Sequence, residues 1–563
     1  MTTVVLTILF QQNWNSKNGY INNDAKGYYA YLPAVVIHQD LSLEQIKDKA
    51  WYHQTEEGKV FIKYTSGNAL CYLPGFLIAH SFAKLSSYSA DGYSLPYQIS
   101  LVFTALLFLF FSLRLSVELL NGHFNDKTIG LTLLTVFLGT NYYYYSSSIF
   151  LSYSHIFSFY FILLFLKYSL KCLAEYKLKN AILLGVSMGM MTLIRPVDGV
   201  FLLFPVFYQI KSKSLFLERF KYIVSKLRSI LISAGVALLI WLPQLLYNFH
   251  VFRKLTINGY RDEGFFFTDP ELWNSLFSFN NGWLIYSPLM LLALLGVIVL
   301  TIKKQWWWAV IAFLYLFVIS SWWCWWYVGF GNRAAINLSA FLIFPLGYII
   351  ELCSKKKLMQ YAVTLTIALG IFLNIFQTRQ FEKGHIRSEG MTYKAYKTAW
   401  LTNDIKFEFY DQLEKLDGTL AKEGINAIHR WIYDTLAVHE AVNKEVLKVD
   451  KHNMYLGNYR YAIDSANTFI AEAIITKEVN SIALYGKLMS TEGCNGDEYG
   501  GTSISETQNG NYKLRSYYRY KEDALACADS IHYFIYNQSL EETEILDLKI
   551  YALRARDTLI YLE

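Results

Sequence analysis

The feature that most constrains this chain is a succession of apolar runs about 20 residues long, the length that a helix needs to cross a bilayer. Charged residues make up only 17% of the 563 residues and apolar ones 54%, whereas soluble domains carry roughly 25% charge. The composition does not fit a single water-soluble core. The runs long enough to cross lie near 96–118, 128–147, 153–173, 227–246, 283–302, 305–321, 335–352 and 358–376.

One further apolar segment, 180–210, is interrupted by Arg195, Pro196 and Asp198. Proline and charge at membrane depth are tolerated only where the backbone is buried in protein or lines a watery cavity. We therefore predict two short helices that meet at a break, which is a candidate site. The N-terminal run 1–10 lacks the marks of a cleavable signal and has about half the length of a span, so it either inserts with help from the next segment of the chain or continues upstream.

Lysine and arginine gather in alternate loops, and such loops face the cytoplasm in membrane proteins. The alternation holds only if the apolar segment 64–84 lies in the interface instead of crossing, which Pro74 and Gly75 permit. We therefore predict about eleven spans, counting the N-terminal run and both halves of 180–210. The basic loops lie at 114–127, 167–179, 211–228, 303–304 and 355–357.

The opposite, extracytoplasmic side then receives the segments with unusual chemistry. Since the basic residues lie in short loops and not on one amphipathic face, the net charge of +6 indicates membrane orientation, with no nucleic-acid partner. The extracytoplasmic segments are 11–95, 142–155, the break at Arg195, 247–282, 322–334 and everything after about residue 377.

The chain is thus predicted to be a polytopic α-helical membrane protein with interfacial helices and a C-terminal extracytoplasmic α+β domain. Residues 1–378 form the transmembrane domain, with a first outer loop at 11–95. Helical spacing predicts a mostly helical extracytoplasmic connector over 379–465, and alternation with short strands predicts a β-rich domain over 466–563, in the form of a β-sandwich. Only Cys494 and Cys527 share a hydrophilic region, so one disulfide is possible there.

The first outer loop contains Asp24, the carboxylate nearest to the membrane surface after the first span. A carboxylate in that place can act as a general base that takes the proton of an attacking hydroxyl. Alternatively, Asp24 caps the helix that begins near Lys26.

Three further polar positions at the same side have two interpretations each. Lys63 can hold a phosphate as a point charge or can snorkel from the interface. Arg195 offers a planar fork suited to phosphate or pairs with Asp198. His155 lies at the mouth of a span, where a polar residue is costly. It is either structural or binds a substrate group.

The loop before a late span carries Trp322-Trp323-Cys324-Trp325-Trp326-Tyr327, followed by Gly329-Phe330-Gly331-Asn332-Arg333. Tryptophan faces can stack on sugar rings, and Arg333 can neutralise charge that develops on a leaving group. The alternative is an aromatic belt at the membrane interface with an anchoring arginine.

Together these motifs resemble the GT-C superfamily of polyprenyl-phosphate-dependent glycosyltransferases, in particular the glycosyltransferase family 39-like branch with protein mannosyltransferases and the aminoarabinose transferase of lipid A. Thr65 and Ser66 depart from the proline pattern of the family, and Asn281 stands where the family has a basic residue. The matching elements, over residues 20–390, are Asp24, Lys63–Leu70, Ser154-His155, Leu193–Pro196, Asn280–Pro288 and Trp322–Arg333.

The resemblance implies an inverting transfer of a hexose or pentose from a polyprenyl-phosphate donor to a glycan, lipid or protein acceptor, in a bacterial inner membrane. It implies that Asp24 is the base and that the donor phosphate is held by Arg333 with Arg195 or Lys63. A divalent metal is possible, although no carboxylate cluster predicts a site for one. The residues expected to contact substrate are His155, Tyr64, Asn332, Trp326 and Tyr28.

Two other functions are compatible with the sequence. Broken helices and arginines within the membrane also suit a transporter or flippase for a lipid-linked saccharide, although the chain lacks detectable repeated halves. The second alternative is a non-catalytic envelope scaffold that displays the C-terminal domain.

Overall fold

The computed structural model describes two compact units, Met1–Glu389 with Lys422–Gly424, and Gly390–Ala421 with Ile425–Glu563. The residues that it describes are all those outside 16–18, 45–51, 56, 176, 255, 257–258, 261–262, 401–408, 410–411, 426, 450–454, 463–467, 477–481, 490–500, 507–511, 520–529, 538–542 and 562–563.

The first unit is helical apart from a two-stranded antiparallel hairpin, β1 (His53–Gln54) with β2 (Val60–Phe61). Its tighter or wider helical turns are Asn13–Asn15, Pro33–His38, Ile149–Ser152 and Pro196–Leu203. Its α-helices are α1 (Thr2–Gln11), α2 (Asp24–Leu32), α3 (Gly67–Leu85), α4 (Leu95–Leu120), α5 (Asp126–Leu138), α6 (Tyr142–Ser147), α7 (Ser154–Ala174), α8 (Leu178–Ile194), α9 (Phe204–Phe207), α10 (Lys213–Ser225), α11 (Leu227–Phe252), α12 (Leu272–Phe277), α13 (Trp283–Tyr286), α14 (Met290–Ile302), α15 (Trp307–Ser320), α16 (Ala335–Phe341), α17 (Ile343–Ser354) and α18 (Lys357–Glu382).

Four of these helices, α4, α7, α11 and α18, are long and apolar enough to cross a bilayer. The pair α16 and α17 qualifies together, although it is bent by 59°. The chain is therefore a multi-pass membrane protein. The predicted eleven spans are not confirmed, since the described residues provide four such helices, or five with the bent pair, besides four shorter apolar segments.

The count differs because apolar sequence continues through places where the helix stops. The predicted span 128–147 is α5 followed by α6, and the predicted span 283–302 is α13 followed by α14. The two breaks contact each other, because the backbone N–H of Asn141 donates to the hydroxyl of Ser287 at 3.0 Å. Pro288 comes directly after Ser287 and has no N–H of its own to continue a helix. Hydropathy alone does not register such breaks.

The break predicted within 180–210 is confirmed. Helix α8 ends at Ile194, and Pro196 begins a tight helical segment that leads into α9. The segment 64–84 forms α3, a continuous 19-residue helix that contains Pro74. The predicted interfacial position of α3 stays a prediction.

Close helix packing in the first unit depends on small residues, as is usual between membrane helices. Gly296 on α14 is buried, and a Cβ atom at this position would overlap the backbone carbonyl of Pro345 on α17. Gly130 on α5 has open space around the same position.

Replacing Gly296 with alanine is expected to destabilise the protein by about 1–3 kcal/mol, because the overlap with backbone must force α14 and α17 apart. Replacing Gly130 with alanine is the matched control, and it should leave stability unchanged or raise it by up to about 1 kcal/mol through helix propensity. Thermal unfolding in detergent measures both. Equal midpoints for the two variants would contradict the packing of α14 on α17.

The second unit contains α19 (Tyr393–Ala399), the start of α20 (Gly418–Lys422) and two antiparallel sheets. The larger sheet has the order β3-β4-β11-β6-β9-β8 and the smaller one β5-β10-β7. The strands are β3 (Lys415–Leu416), β4 (Ala427–Val449), β5 (Tyr455–Ala462), β6 (Thr468–Ile475), β7 (Ile482–Met489), β8 (Gly501–Glu506), β9 (Tyr512–Arg519), β10 (Ser530–Asn537) and β11 (Thr543–Tyr561).

The prediction of a mostly helical connector over 379–465 is not met, because residues Ala427–Val449 form the long strand β4. Its backbone pairs with β11 from Ala427 opposite Tyr561 to Val449 opposite Thr543. Pairing with a strand about a hundred residues away outweighs the local helical spacing of charges, since strand preference depends on context. The β-sandwich stays a prediction, and Cys494 and Cys527 lie outside the described residues.

Candidate active site

Asp24 lies at the centre of a buried polar cluster in the first unit. It is the first residue of α2, so it is not the cap of that helix, and the preceding Asn23 makes no capping side-chain bond. Its Oδ1 accepts a hydrogen bond from the Tyr64 hydroxyl at 2.9 Å, and its Oδ2 lies 2.7 Å from an Nη of Arg333. The positive end of the α2 dipole also favours a negative charge here. Both oxygens of the predicted base are therefore held in place.

Arg333 reaches this carboxylate from the loop between α15 and α16. Its guanidinium also lies over the ring of Tyr153, with the Cζ atom 5.3 Å from the ring centroid. Burial disfavours the charge of Arg333, but the carboxylate of Asp24 and the neighbouring tyrosines outweigh it, and the pKa of the guanidinium is raised well above its usual value. The pair with Asp24 uses one of five N–H donors. The others can bind a second anion.

Tyrosine rings surround the ion pair. The ring centroids of Tyr28 and Tyr64 lie 4.6 Å apart, and Tyr28 meets Tyr153 edge to face. Burial raises the pKa of Tyr28, and so does the charge of Asp24, whereas the charges of Arg195 and Arg333 oppose this rise. Both predicted phosphate-binding arginines thus act on the same phenol. The close approach of Tyr64 needs Gly27, because any Cβ there would overlap the Tyr64 ring.

Arg195 is brought to the cluster by the break after α8. One Nη donates to the Ser154 hydroxyl at 3.3 Å, and the Nε is buried without a hydrogen-bond partner. The Asp198 carboxylate accepts its hydrogen bonds from other side chains, and the direct ion pair with Arg195 that the sequence allowed is not formed among the described residues. A buried guanidinium with an unused donor is suited to a further anionic or polar ligand.

Asp198 instead belongs to a separate hydrogen-bonded group, in which Ser158, Tyr315 and Asn337 donate to its carboxylate. The predicted substrate residue His155 is fully buried beside this group, with its Nδ1 3.4 Å from the Asn337 side-chain oxygen. The described polar contact of His155 is therefore with Asn337, and none with Asp24 is found among the described residues.

Lys63 is the predicted residue whose environment differs most from expectation. Its Nζ forms a short ion pair with Glu263, and both side chains are largely buried. The ammonium also lies 5.3 Å from the ring centroid of Tyr260. Snorkelling to the interface does not describe this lysine, and a phosphate would have to compete with Glu263 for it. No sequence signal pointed to Glu263, which lies 200 positions away.

Trp326 and Asn332 are buried with unused hydrogen-bonding groups. The indole N–H of Trp326 and both side-chain polar atoms of Asn332 have no partner among the described residues. The Trp326 ring packs against Trp323 and Trp325. Buried polar groups are normally paired, and these atoms lack a described partner, so they are available to a ligand. Asn332 lies next to Arg333 in the chain.

The site also contains residues that sequence reasoning missed. Tyr153 supports the guanidinium of Arg333, and Tyr315 links Asp198 at 2.9 Å to the backbone carbonyl of Ala334 at 3.1 Å. Ser158 could have been found, because it lies four positions after Ser154 on the same face of a helix. Within the described part of the chain, no three His, Cys, Asp or Glu side chains are grouped as a metal site would need.

Replacing Tyr64 with phenylalanine is expected to lower stability by about 1.5–3 kcal/mol, the value of a hydrogen bond to a charged group. Burial, and then the charge of Asp24, hold the pKa of Tyr64 well above its usual value. The phenol therefore stays a donor below the ordinary tyrosine pKa of about 10, and its contribution is lost only as the pH rises through the raised pKa.

The difference between wild type and Tyr64→Phe should accordingly be constant between about pH 6 and pH 9, which thermal unfolding at several pH values measures. Tyr88→Phe, at an exposed tyrosine of the same segment 11–95, is the control and should change little. A difference that disappears below pH 9 would show that the hydroxyl does not donate to Asp24.

The fold and this site together define a multi-pass membrane protein with a buried acid, two arginines and aromatic rings in one polar cluster. No protein-family model and no curated protein sequence matches the chain. Among solved structures, it is similar to an oligosaccharyltransferase of Archaeoglobus fulgidus in the apo form, with a TM-score of 0.41 and 12% identity over 73% of this chain and 59% of the other.

It is also similar to the arabinosyltransferase EmbB of Mycobacterium smegmatis, with a TM-score of 0.30 and 12% identity over 100% of this chain and 65% of the other. The chain thus spans less than two thirds of the length of either protein. Both are membrane glycosyltransferases with the GT-C fold, the superfamily that the motifs resemble. At TM-scores this low, neither structure assigns a substrate or a residue role to this chain.

Proposed function

We propose that this chain is a membrane glycosyltransferase that moves a sugar from a polyprenyl-phosphate donor to an acceptor hydroxyl. The observation that carries the proposal is the carboxylate of Asp24, held on one oxygen by Tyr64 and on the other by Arg333. A carboxylate directly beside an arginine supports the assignment of Asp24 as the base and of Arg333 as the cation that takes the phosphate. Those are the two groups that a single displacement at an anomeric carbon requires.

The step is an inverting displacement. The acceptor oxygen attacks the anomeric carbon while its proton passes to Asp24, and the bond between that carbon and the phosphate oxygen breaks. The electron pair leaves with the polyprenyl phosphate, which gains one negative charge. Because a phosphate is a stable leaving group, no acid is needed to protonate it, and one carboxylate is enough.

Arg333 stabilises the charge that develops on the leaving phosphate, through the N–H donors that Asp24 does not use. Arg195 provides the second cation, with an Nε that has no protein partner among the described residues. Lys63 joins them only where the phosphate displaces Glu263. Removing a single such donor from a preorganised anion site costs catalysis about 10²–10³-fold in known enzymes.

The substrate contacts are expected at the unused groups around this cluster. Asn332 and Trp326 offer hydrogen bonds to sugar hydroxyls, and the Trp326 ring gives an apolar face for the sugar. Tyr28 and Tyr64 line the Asp24 side, where the acceptor enters. His155, beside Asn337, is the remaining residue that we expect to contact substrate.

The charge bias of the loops supports a site on the extracytoplasmic face of a bacterial inner membrane, with the C-terminal domain on the same side. A glycan, lipid or protein then serves as acceptor. Hexose and pentose donors are both compatible with the site.

Proteoliposomes of the full chain, loaded with radiolabelled polyprenyl-phosphate sugars and an envelope glycolipid extract, test the proposal. Transfer of label to a chemically new product supports a transferase. Movement of the intact labelled lipid between leaflets, with no product, would show a flippase instead. If neither transfer nor movement occurs, the scaffold is the remaining alternative.

A further inference from the structure

A second cavity lies in the first unit, away from the Asp24 cluster. It has a volume of about 460 Å³, within the ~300–1,000 Å³ range of pockets that bury small ligands. The C-terminal ends of α4 and α7, the segment after α9 and the start of α15 surround it. From His155 at the Asp24 end of α7 to Leu170 in the cavity wall, the helix rises roughly 22 Å. The cavity is thus at the opposite end of the bundle.

The cavity lining contains three kinds of group. Its apolar residues include Leu119, Leu166, Leu170 and Phe344. Exposed polar side chains stand at its rim, and Lys211 is the only lysine, arginine, aspartate or glutamate among the described lining residues. It belongs to a lysine-rich end of the bundle, where the basic loops of the chain gather.

Trp307 and Trp308 at the start of α15 form another part of the lining. Both indole rings are buried, and neither indole N–H has a hydrogen-bond partner among the described residues. Their neighbour Trp306, by contrast, donates its N–H to the carbonyl of Ile210 at 2.6 Å. Two buried donors without acceptors in the wall of a cavity point to a ligand that supplies acceptors.

We infer that this cavity binds an anionic phospholipid of the leaflet at the lysine-rich end. An acyl chain fits against the leucine and phenylalanine side chains, the ester carbonyls accept from Trp307 and Trp308, and the headgroup phosphate pairs with Lys211. Such a lipid supplies an apolar chain, neutral acceptors and an anion, one for each kind of lining group. An exposed lysine near an anionic leaflet contributes roughly five-fold in affinity.

The lipid does not take part in sugar transfer, so this inference stands or fails independently of the proposed function. Its role is to fill the gap between α4, α7 and α15, and so to hold the lysine-rich ends of helices whose other ends carry Ser154 and the Trp322–Arg333 loop.

Native mass spectrometry of the full-length protein, exchanged into phosphatidylglycerol or phosphatidylcholine with identical acyl chains, tests the inference. The wild type should retain phosphatidylglycerol at least about five-fold better than phosphatidylcholine. Lys211→Glu should lose this preference, whereas Lys179→Glu, an exposed lysine at the same end outside the cavity, should keep it. Since Lys211 is exposed, its replacement leaves the fold intact.

A cavity-filling variant tests the apolar part of the lining. Leu170→Trp should reduce retention of phosphatidylglycerol, and Leu369→Trp, on an exposed face of α18, should not. Equal retention of both lipids by the wild type would mean that a neutral chain occupies the cavity and would overturn the inference. Unchanged selectivity in Lys211→Glu, or unchanged retention in a folded Leu170→Trp, would overturn it as well.

Discussion

Replacing Asp24 with asparagine is expected to reduce the rate of sugar transfer about 10²- to 10⁴-fold, the range that general base catalysis provides. Asparagine keeps the shape and can still accept from Tyr64, but it cannot take the acceptor proton. The measurement is the initial rate of transfer by purified protein in proteoliposomes, together with the amount of folded protein.

The fold of this variant needs a separate check, because the charge of Arg333 loses its partner. Breaking a buried ion pair costs about 3–5 kcal/mol, and the two side chains here are 12% and 18% exposed, so the lower end of that range applies. Asp126→Asn, at an exposed aspartate that begins α5, is the control for the chemical change and should keep the wild-type rate. A wild-type rate in a folded Asp24→Asn variant would remove Asp24 as the base.

Replacing Arg333 with lysine is expected to lower kcat about 10²–10³-fold, although the charge is retained. The planar fork of arginine can bond Asp24 and still offer donors to a phosphate, and a lysine ammonium lacks this fork. Lysine also stacks less well on Tyr153. The loss should appear in kcat more than in KM, because the charge on the leaving phosphate grows toward the transition state.

Arg333→Met separates stability from chemistry. This variant leaves Asp24 buried and unpaired, whereas the double variant Asp24→Asn with Arg333→Met removes both charges and should be more stable than either single variant. Additive destabilisation in this cycle would mean that the ion pair between Asp24 and Arg333 does not form.

The sequence predicted those features of the site that depend on residue type and on position relative to a span. Asp24 and Arg333 lie in loops next to apolar runs and Arg195 interrupts one, and the charges of all three act on the phenol of Tyr28. These residues are costly to place near a membrane without a partner, which is why their position carries information. Their assignment to catalysis stays a proposal.

The features that the sequence did not reveal depend on partners far away in the chain. The ion pair of Lys63 with Glu263 and the hydrogen bonds of Asp198 with Tyr315 and Asn337 join segments more than a hundred residues apart. The strand β4 is another such case, since only its pairing with β11 makes it a strand. Hydropathy also missed the helix breaks at Asn141 and Ser287. These two residues hydrogen-bond to each other, so the breaks are accommodated within otherwise apolar sequence.

The most direct test is mass spectrometry of envelope glycans and glycolipids from cells that lack the protein and are complemented with wild type or Asp24→Asn. We predict that one sugar substituent disappears without the protein, returns with the wild type and stays absent with Asp24→Asn at equal protein level. Identical glycans in all three strains, or full restoration by Asp24→Asn, would contradict a glycosyl transfer with Asp24 as its base.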